Sequence, residues 1–250
     1  MMKQELVSII TPSYNSLDTI ERTIESVIAQ TYTNWEMIIV DDCSIDDSRE
    51  LIQSWCERDR RIQLVARGWN AGPAVTRNRG ISVAKGRYIA FLDADDTWFP
   101  HKLETQIAFM QQNGVAFSFS SYQRTNEAGD KLGVIAAPES ITYDQLLDCC
   151  KIGCLTACYD REQLGTVYMP NIAKRQDFGL WLRLLSLTPK AYGIQETLAD
   201  YRVARNSVSS NKLVAAKYQW RVYREVEKLS LMKSLKHFTC YAVAGVANRI

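Results

Sequence analysis

Apolar residues come in short runs separated by amphipathic stretches through the first hundred positions. Leu6-Val-Ser-Ile-Ile-Thr11, Trp35 to Val40, Ile62 to Ala66 and Tyr88 to Leu92 each read as a strand, rich in β-branched and aromatic side chains and bounded by polar residues or glycine. Between the first two, Ile20, Ile24, Val27 and Ile28 fall at helical spacing behind Asp18 and Glu21, which predict a capping box. A second helix is expected over about Asp47 to Arg58. Asn70-Ala-Gly72-Pro73 opens a third, with proline in the first turn, that runs to Ala84 and is ended by Gly86. A fourth is expected from near Trp98, for which Asp95 or Asp96 would serve as the cap. Strand alternating with helix predicts an α/β fold, a parallel sheet with helices on both faces.

The second half is less regular. Val115 to Gln123 reads as a strand, Asn126-Glu-Ala-Gly129-Asp as a turn, Lys131 to Ala136 as the returning strand, and Tyr143 to Cys150 as a short helix. Arg175 to Leu185 is amphipathic, with Phe178, Leu182 and Leu185 on one face and Asp177 at its amino end. An acid there also interacts well with the helix dipole, so the pattern alone leaves Asp177 open between structure and chemistry. From Asn211 the chain reads as helical, with Trp220, Tyr223, Val226 and Leu229 on one side and Lys/Arg on the other. Its most apolar stretch, Phe238 to Ala247, is shorter than the ~20 residues that cross a bilayer. Two readings stand: the segment lies on an anionic membrane surface, or it packs its aromatic side on the rest of the protein.

Composition changes this picture little. At 250 residues, 46% hydrophobic and 23% charged, with no linker-like stretch, the chain reads as one α/β domain over 1–210 and a tail over 211–250. A formal net charge of +2 gives no case for nucleic acid. The charge is uneven, however: the tail holds eight Lys/Arg against Glu225 and Glu227, a balance of +6, which leaves −4 for residues 1–210. The opening Met-Met-Lys-Gln-Glu and its short apolar run do not describe a secretory signal, so a cytoplasmic protein is expected. Seven cysteines fit free thiols there. Cys149, Cys150, Cys154 and Cys158 cluster without a Cys-x-x-Cys pair or a nearby histidine, which argues against zinc.

The candidate chemistry lies at strand ends. Thr11 to Asn15, Asp41 to Ser44 and Asp93 to Asp96 would gather along one edge of the sheet, where open α/β sheets bind ligands. Asp93, Asp95 and Asp96 put three like charges within four residues, an arrangement that a hard divalent cation would offset, with small Ala94 leaving room. A nucleotide-sized ligand fits such an edge. Neither Gly-x-Gly-x-x-Gly nor a P-loop occurs.

Together the motifs resemble those of the bacterial family 2 glycosyltransferases, inverting enzymes of the GT-A fold. They are Val-Ser-Ile-Ile-Thr-Pro-Ser-Tyr-Asn near the start, Ile-Val-Asp-Asp-Cys-Ser, Ala-Lys-Gly-Arg-Tyr-Ile-Ala, Phe-Leu-Asp-Ala-Asp-Asp, and Gln-Asp-Phe-Gly-Leu-Trp-Leu-Arg. The resemblance covers about residues 5 to 210. It implies a nucleotide-binding half over 1–100 and an acceptor half over 101–210. Thr11, Pro12 and Tyr14 would line the uracil and ribose pocket, and Asp42, with Asp41 beside it, would receive the base's N3 hydrogen. Arg77 would lie near the diphosphate. Asp93, Ala94 and Asp95 match the family's Asp-x-Asp motif, Asp93 near the ribose and Asp95 on Mn²⁺ or Mg²⁺. Asp177 falls where the family keeps its catalytic base. The implied partners are a UDP-sugar donor and a saccharide acceptor, lipid-linked as in O-antigen and capsule synthesis.

Two departures stand out. Gln176-Asp177 replaces the family's common Glu-Asp, and Ala204 stands where a histidine is frequent, which would leave Arg205 or Ser207 to meet the diphosphate. Two rival functions are a haloacid-dehalogenase-type phosphatase using Asp93 and Asp95, whose motif normally follows the first strand rather than the fourth, and a sugar-nucleotide-binding protein without turnover.

Overall fold

The computed structural model describes residues 4–203 and 212–247. The chain alternates as expected through its first part: β1 (Val7–Ser13), α1 (Ile20–Ile28), β2 (Trp35–Asp41), α2 (Ser48–Arg58), β3 (Ile62–Ala66), α3 (Pro73–Val83) and β4 (Tyr88–Phe91). There follow β5 (Thr97–Trp98), α4 (Lys102–Asn113), β6 (Phe117–Asn126), β7 (Lys131–Ile135), β8 (Ser140–Ile141) and α5 (Tyr143–Asp148). A 3₁₀ turn, Cys154–Thr156, leads to β9 (Cys158–Asp160), α6 (Arg161–Leu164), α7 (Gln176–Leu185) and the long β10 (Ala191–Val203). The tail is α8 (Lys212–Arg221), a π-helical turn (Val222–Val226) and α9 (Leu231–Ala247).

One mixed sheet runs in the order β3-β2-β1-β4-β9-β6-β10-β5, with β7 beside β6 and β8 beside β10. The four strands from β3 to β4 are parallel. Beyond them β9 runs antiparallel to both β4 and β6, while β6 and β10 are parallel to each other. Alternation along the central strands feeds two cores. Val7, Ile9, Met37, Ile39, Tyr88 and Ala90 face α1, α2 and α4; Ile10, Ile38, Val40, Ile89 and Phe91 face α3, α5, α7 and part of the tail. Helices thus cover both faces.

Local expectations differ from the structure at two helix starts. Asp18 and Glu21 form no capping box: Thr19 is at the cap position of α1, where its hydroxyl donates to the Ser16 carbonyl at 3.3 Å and accepts no helix amide, and the amides of Thr19 and Ile20 both donate to that carbonyl at 2.9 Å. The second is near Trp98. Neither Asp95 nor Asp96 caps a helix, and Thr97–Trp98 instead pair antiparallel with β10. Pro100 disfavours helical backbone at Phe99, so α4 begins only at Lys102, behind His101.

The tail follows the second of its two readings on its aromatic side. Val222 and Tyr223 are fully buried, and Trp220, Val226, Leu229 and Phe238 pack against the core that holds α7. No described helix is long and apolar enough to cross a membrane.

Candidate active site

The three polar strand ends do meet. They border an open cleft of about 680 Å³ lined by Pro12, Tyr14, Asp42, Asp93, Ala94 and Asp95, and by the Asn70 to Pro73 loop. The parallel register sets this up, because β1, β2 and β4 all deliver their carboxyl ends to the same edge.

Asp42 is buried beneath that cleft. Its two carboxylate oxygens accept the amides of Ala71 at 3.0 Å and Gly72 at 2.8 Å, and Arg67 Nε lies 3.5 Å away. The acid thereby fixes the loop that opens α3. A carboxylate has about four acceptor positions, so some capacity remains for a ligand. Four predicted site residues are not on the wall of the cleft: Arg77, Asp177, Asp41 and Thr11. Asp41 is fully buried and held by Arg49 Nη2 at 2.6 Å. Thr11 is also fully buried, and its hydroxyl has no hydrogen-bond partner among the described residues.

Arg77 projects from α3, which packs tightly because Gly80 touches the sheet: a Cβ there would come 2.7 Å from Ile10 Cγ2. The guanidinium is 6% exposed and donates through Nη2 to Asp93 Oδ1, whereas Nε and Nη1 find no partner among the described residues. Burial opposes its charge, but Asp93, together with Cys154 and Asp177, more than offsets this and raises its pKa.

The acids on the β4–β5 turn repel one another. Asp95 has its pKa raised by burial and then by Asp93, and Asp96, almost wholly buried, is raised further by burial, Asp95 and Asp93. Asp96 serves the fold: Oδ1 accepts the Arg202 amide of β10 at 3.0 Å, and its carbonyl accepts Thr23 Oγ1 at 2.8 Å. Asp95, by contrast, lines the cleft. Among the described residues no three His, Cys, Asp or Glu side chains converge as a closed metal cage. Paired carboxylates under mutual repulsion, open to a cleft, are the donor set of a cation that draws its other oxygens from phosphate and water.

Asp177 is not among the residues that line the cleft. It is in the first turn of α7, and Trp181, four residues on, lies on the same side of the helix. The Trp181 ring meets Phe91 edge to face at 5.5 Å and Phe117 at 5.5 Å. Phe91, which ends β4, precedes Asp93 by two residues, so the Trp181–Phe91 contact ties α7 to the strand that leads to the acidic turn. Gly179 permits the approach, since a Cβ there would overlap the Pro170 ring.

A sequence model for the glycosyl transferase family 2 matches residues 8–153, more than half of the chain. The chain is a family 2 glycosyltransferase. The transferase is 50% identical over 246 residues, 98% of either chain, to the putative teichuronic acid biosynthesis glycosyltransferase TuaG of Bacillus subtilis. It is 39% identical, over 98% of this chain and 95% of the relative, to the UDP-Glc:α-D-GlcNAc-diphosphoundecaprenol β-1,3-glucosyltransferase WfgD of Escherichia coli. Among solved structures, S. aureus TarS with UDP-GlcNAc matches 95% of this chain and 71% of its own at a TM-score of 0.75 and 17% identity, a likeness of fold. The transferase therefore has the GT-A fold, and the phosphatase reading is set aside.

Sequence reading missed several supports of the transferase site. Arg67 and Arg49, which hold the second acidic pair, carry no motif of their own. Arg22 donates to the Asp95 carbonyl at 3.2 Å across 73 residues of chain, a contact no local pattern reveals. The left-handed backbone of Arg175, φ 63°, at the start of α7 is likewise unmarked, since the residue is not glycine. Ala204, Arg205 and Ser207 lie outside the described residues.

Proposed function

We propose that this transferase moves a sugar from a UDP-sugar to a saccharide acceptor, lipid-linked, in surface polysaccharide synthesis, by a single displacement with inversion. The observation that carries the reading is the open cleft at the carboxyl ends of β1, β2 and β4, lined by Pro12, Tyr14, Asp42, Asp93, Ala94 and Asp95. The E. coli relative is named for UDP-Glc as donor and a diphosphoundecaprenol-linked acceptor, with a β-linked product; those features support the donor class, the acceptor class and inversion here.

The roles are those that the family resemblance implies, and the position of Pro12, Tyr14, Asp42 and Asp93 to Asp95 along the cleft supports them. Pro12 and Tyr14 flank the base and ribose, with Thr11 and Asp41 supporting that wall from behind. Asp42 accepts the uracil N3 hydrogen with the capacity its loop bonds leave. Asp93 and Ala94 border the ribose and diphosphate, and Arg77 offers positive charge to the departing UDP. Asp95, with Asp93, would hold Mn²⁺ or Mg²⁺, which when bound stabilises negative charge on the leaving diphosphate. Asp177 accepts the proton of the acceptor hydroxyl as that oxygen attacks the anomeric carbon opposite UDP. An α-linked donor then gives a β-glycoside, without a covalent enzyme intermediate.

The tail belongs to the same reading. The face of α9 away from the core exposes Leu231, Met232, Leu235 and Val243, and Lys228, Lys233 and Lys236 lie along the segment without an acid between 228 and 247. Such a face suits the anionic surface on which a lipid-linked acceptor resides. UDP release from a panel of UDP-sugars with a lipid-linked acceptor, with and without Mn²⁺, tests the function. Acceptor- and metal-dependent UDP release is expected; its absence with every donor overturns it.

A further inference from the structure

The helix that carries Asp177 begins on a residue in an unfavourable backbone conformation. Arg175 is at φ 63° and ψ 21°, left-handed geometry that a non-glycine residue keeps only when its surroundings hold it there. Its carbonyl accepts the Gly179 amide at 3.0 Å, so the same residue forms the first hydrogen-bonded turn of α7, the turn that contains Asp177.

What holds Arg175 lies 66 residues away. Its Nη2 donates to the Tyr241 hydroxyl at 3.0 Å, and its guanidinium carbon lies 5.5 Å from the centre of the Tyr241 ring. Tyr241 is on the inward face of α9, and that face is fastened independently. Its ring is 6.0 Å from Phe238, which meets Trp220 edge to face at 5.5 Å. His237 Nδ1 is 2.8 Å from Asp148 Oδ1. From the preceding turn, Tyr223 packs against Phe178, the neighbour of Asp177, at 6.4 Å, and donates its hydroxyl to the Leu147 carbonyl at 2.5 Å. Arg175 precedes Asp177 by two residues, at the same end of the helix.

The geometry points to Tyr241 and Arg175 as positioning residues: the tail fixes the left-handed start of α7 and thereby aims Asp177 at the acceptor. Neither residue lines the nucleotide cleft, so their loss acts on turnover and not on donor binding. The inference rests on the reading of Asp177 as the base.

The test compares steady-state kinetics and UDP affinity of the full-length protein with Tyr241→Phe, Arg175→Ala, Arg175→Gly and Asp177→Asn. Phenylalanine keeps the ring and removes only the hydrogen-bond acceptor; glycine adopts φ 63° without strain and removes only the anchor. Expected are kcat losses of roughly 3- to 10-fold for Tyr241→Phe and at least about 10-fold for both Arg175 variants, with KM for the UDP-sugar and UDP affinity within about twofold of the parent, the split of an interaction felt in the transition state alone. Normal kcat in Arg175→Gly and Tyr241→Phe overturns the inference, because a left-handed backbone without its tether would then suffice. A parallel loss of donor affinity overturns it as well, since general loosening of the fold does that. Should Arg175→Ala fail to fold, Tyr241→Phe and Arg175→Gly decide. Full turnover in Asp177→Asn would instead remove the reading of the base, a separate result.

Discussion

The tasks proposed for Asp177 and Asp95 differ, and their removal separates them. Asp177→Asn keeps the size of the side chain and loses its basicity, so turnover is expected to fall roughly 10²- to 10⁴-fold, with UDP binding by calorimetry little changed. Asp95→Ala is expected to weaken Mn²⁺-dependent UDP binding in the same titration. Retained metal-stimulated binding would place the cation elsewhere. A third residue outside the site, Lys102, makes a pH prediction. It is fully buried in α4, its Nζ is 3.6 Å from the Trp98 ring centre and has no hydrogen-bond partner among the described residues, and burial pulls its pKa down to about 7. Between that value and the ordinary lysine range, the unfolded chain binds the extra proton, so this group makes stability rise with pH across that window. Lys102→Met is therefore expected to raise stability at pH 7 by roughly 1–3 kcal/mol, a gap that narrows as pH climbs toward 10. Denaturant titrations at pH 7 and 9.5 check it; an unchanged gap refutes it.

At the scale of elements, a contact that looks incidental proves to be positional. Gly179 lets α7 lie against Pro170, and without that approach Trp181 could not sit between Phe91 and Phe117. Gly179→Ala is expected to cost roughly 1–3 kcal/mol by overpacking, seen as a lower melting temperature, and to reduce kcat by displacing Asp177. Elements were legible where burial was continuous. The all-buried β2 agrees with its apolar run to within a residue, because only a central strand accommodates such a pattern, and the edge strand β3 was legible as a short run rich in β-branched residues. The left-handed α4 C-cap at Gly114 and the turn at Gly129 are likewise visible in the chain as glycines. The strands β5, β8 and β9 were not legible, since two or three residues carry no periodicity and depend on partners far off in sequence. The long β10 escaped for another reason: register shifts between Ile194 and Ala199 break its alternation. The site divides similarly. Acids on strand ends announced themselves, but the arginines that neutralise them and the tyrosine that tethers Arg175 did not, because tertiary packing chooses them.

For the whole molecule, the tail is both part of the core and a surface. Deleting residues beyond 210 would strip Tyr223 from Phe178 and Val222 from the core, so that truncation is expected to lower the melting temperature sharply as well as to remove any membrane contact. A cleaner separation replaces only outward side chains. Met232→Glu with Leu235→Glu is expected to reduce flotation with anionic liposomes while leaving the melting temperature and UDP release from a soluble acceptor near those of the parent. Unchanged flotation would exclude this face as the anchor.

Tyr223 also bears on how the protein is made. Synthesis at about 5–20 residues per second makes Phe178 seconds before Tyr223 and Tyr241, so the helix with Asp177 is complete before the partners of its aromatic side and of its start exist. If the proposed tether holds, the nascent chain is expected to be idle until α9 emerges and docks.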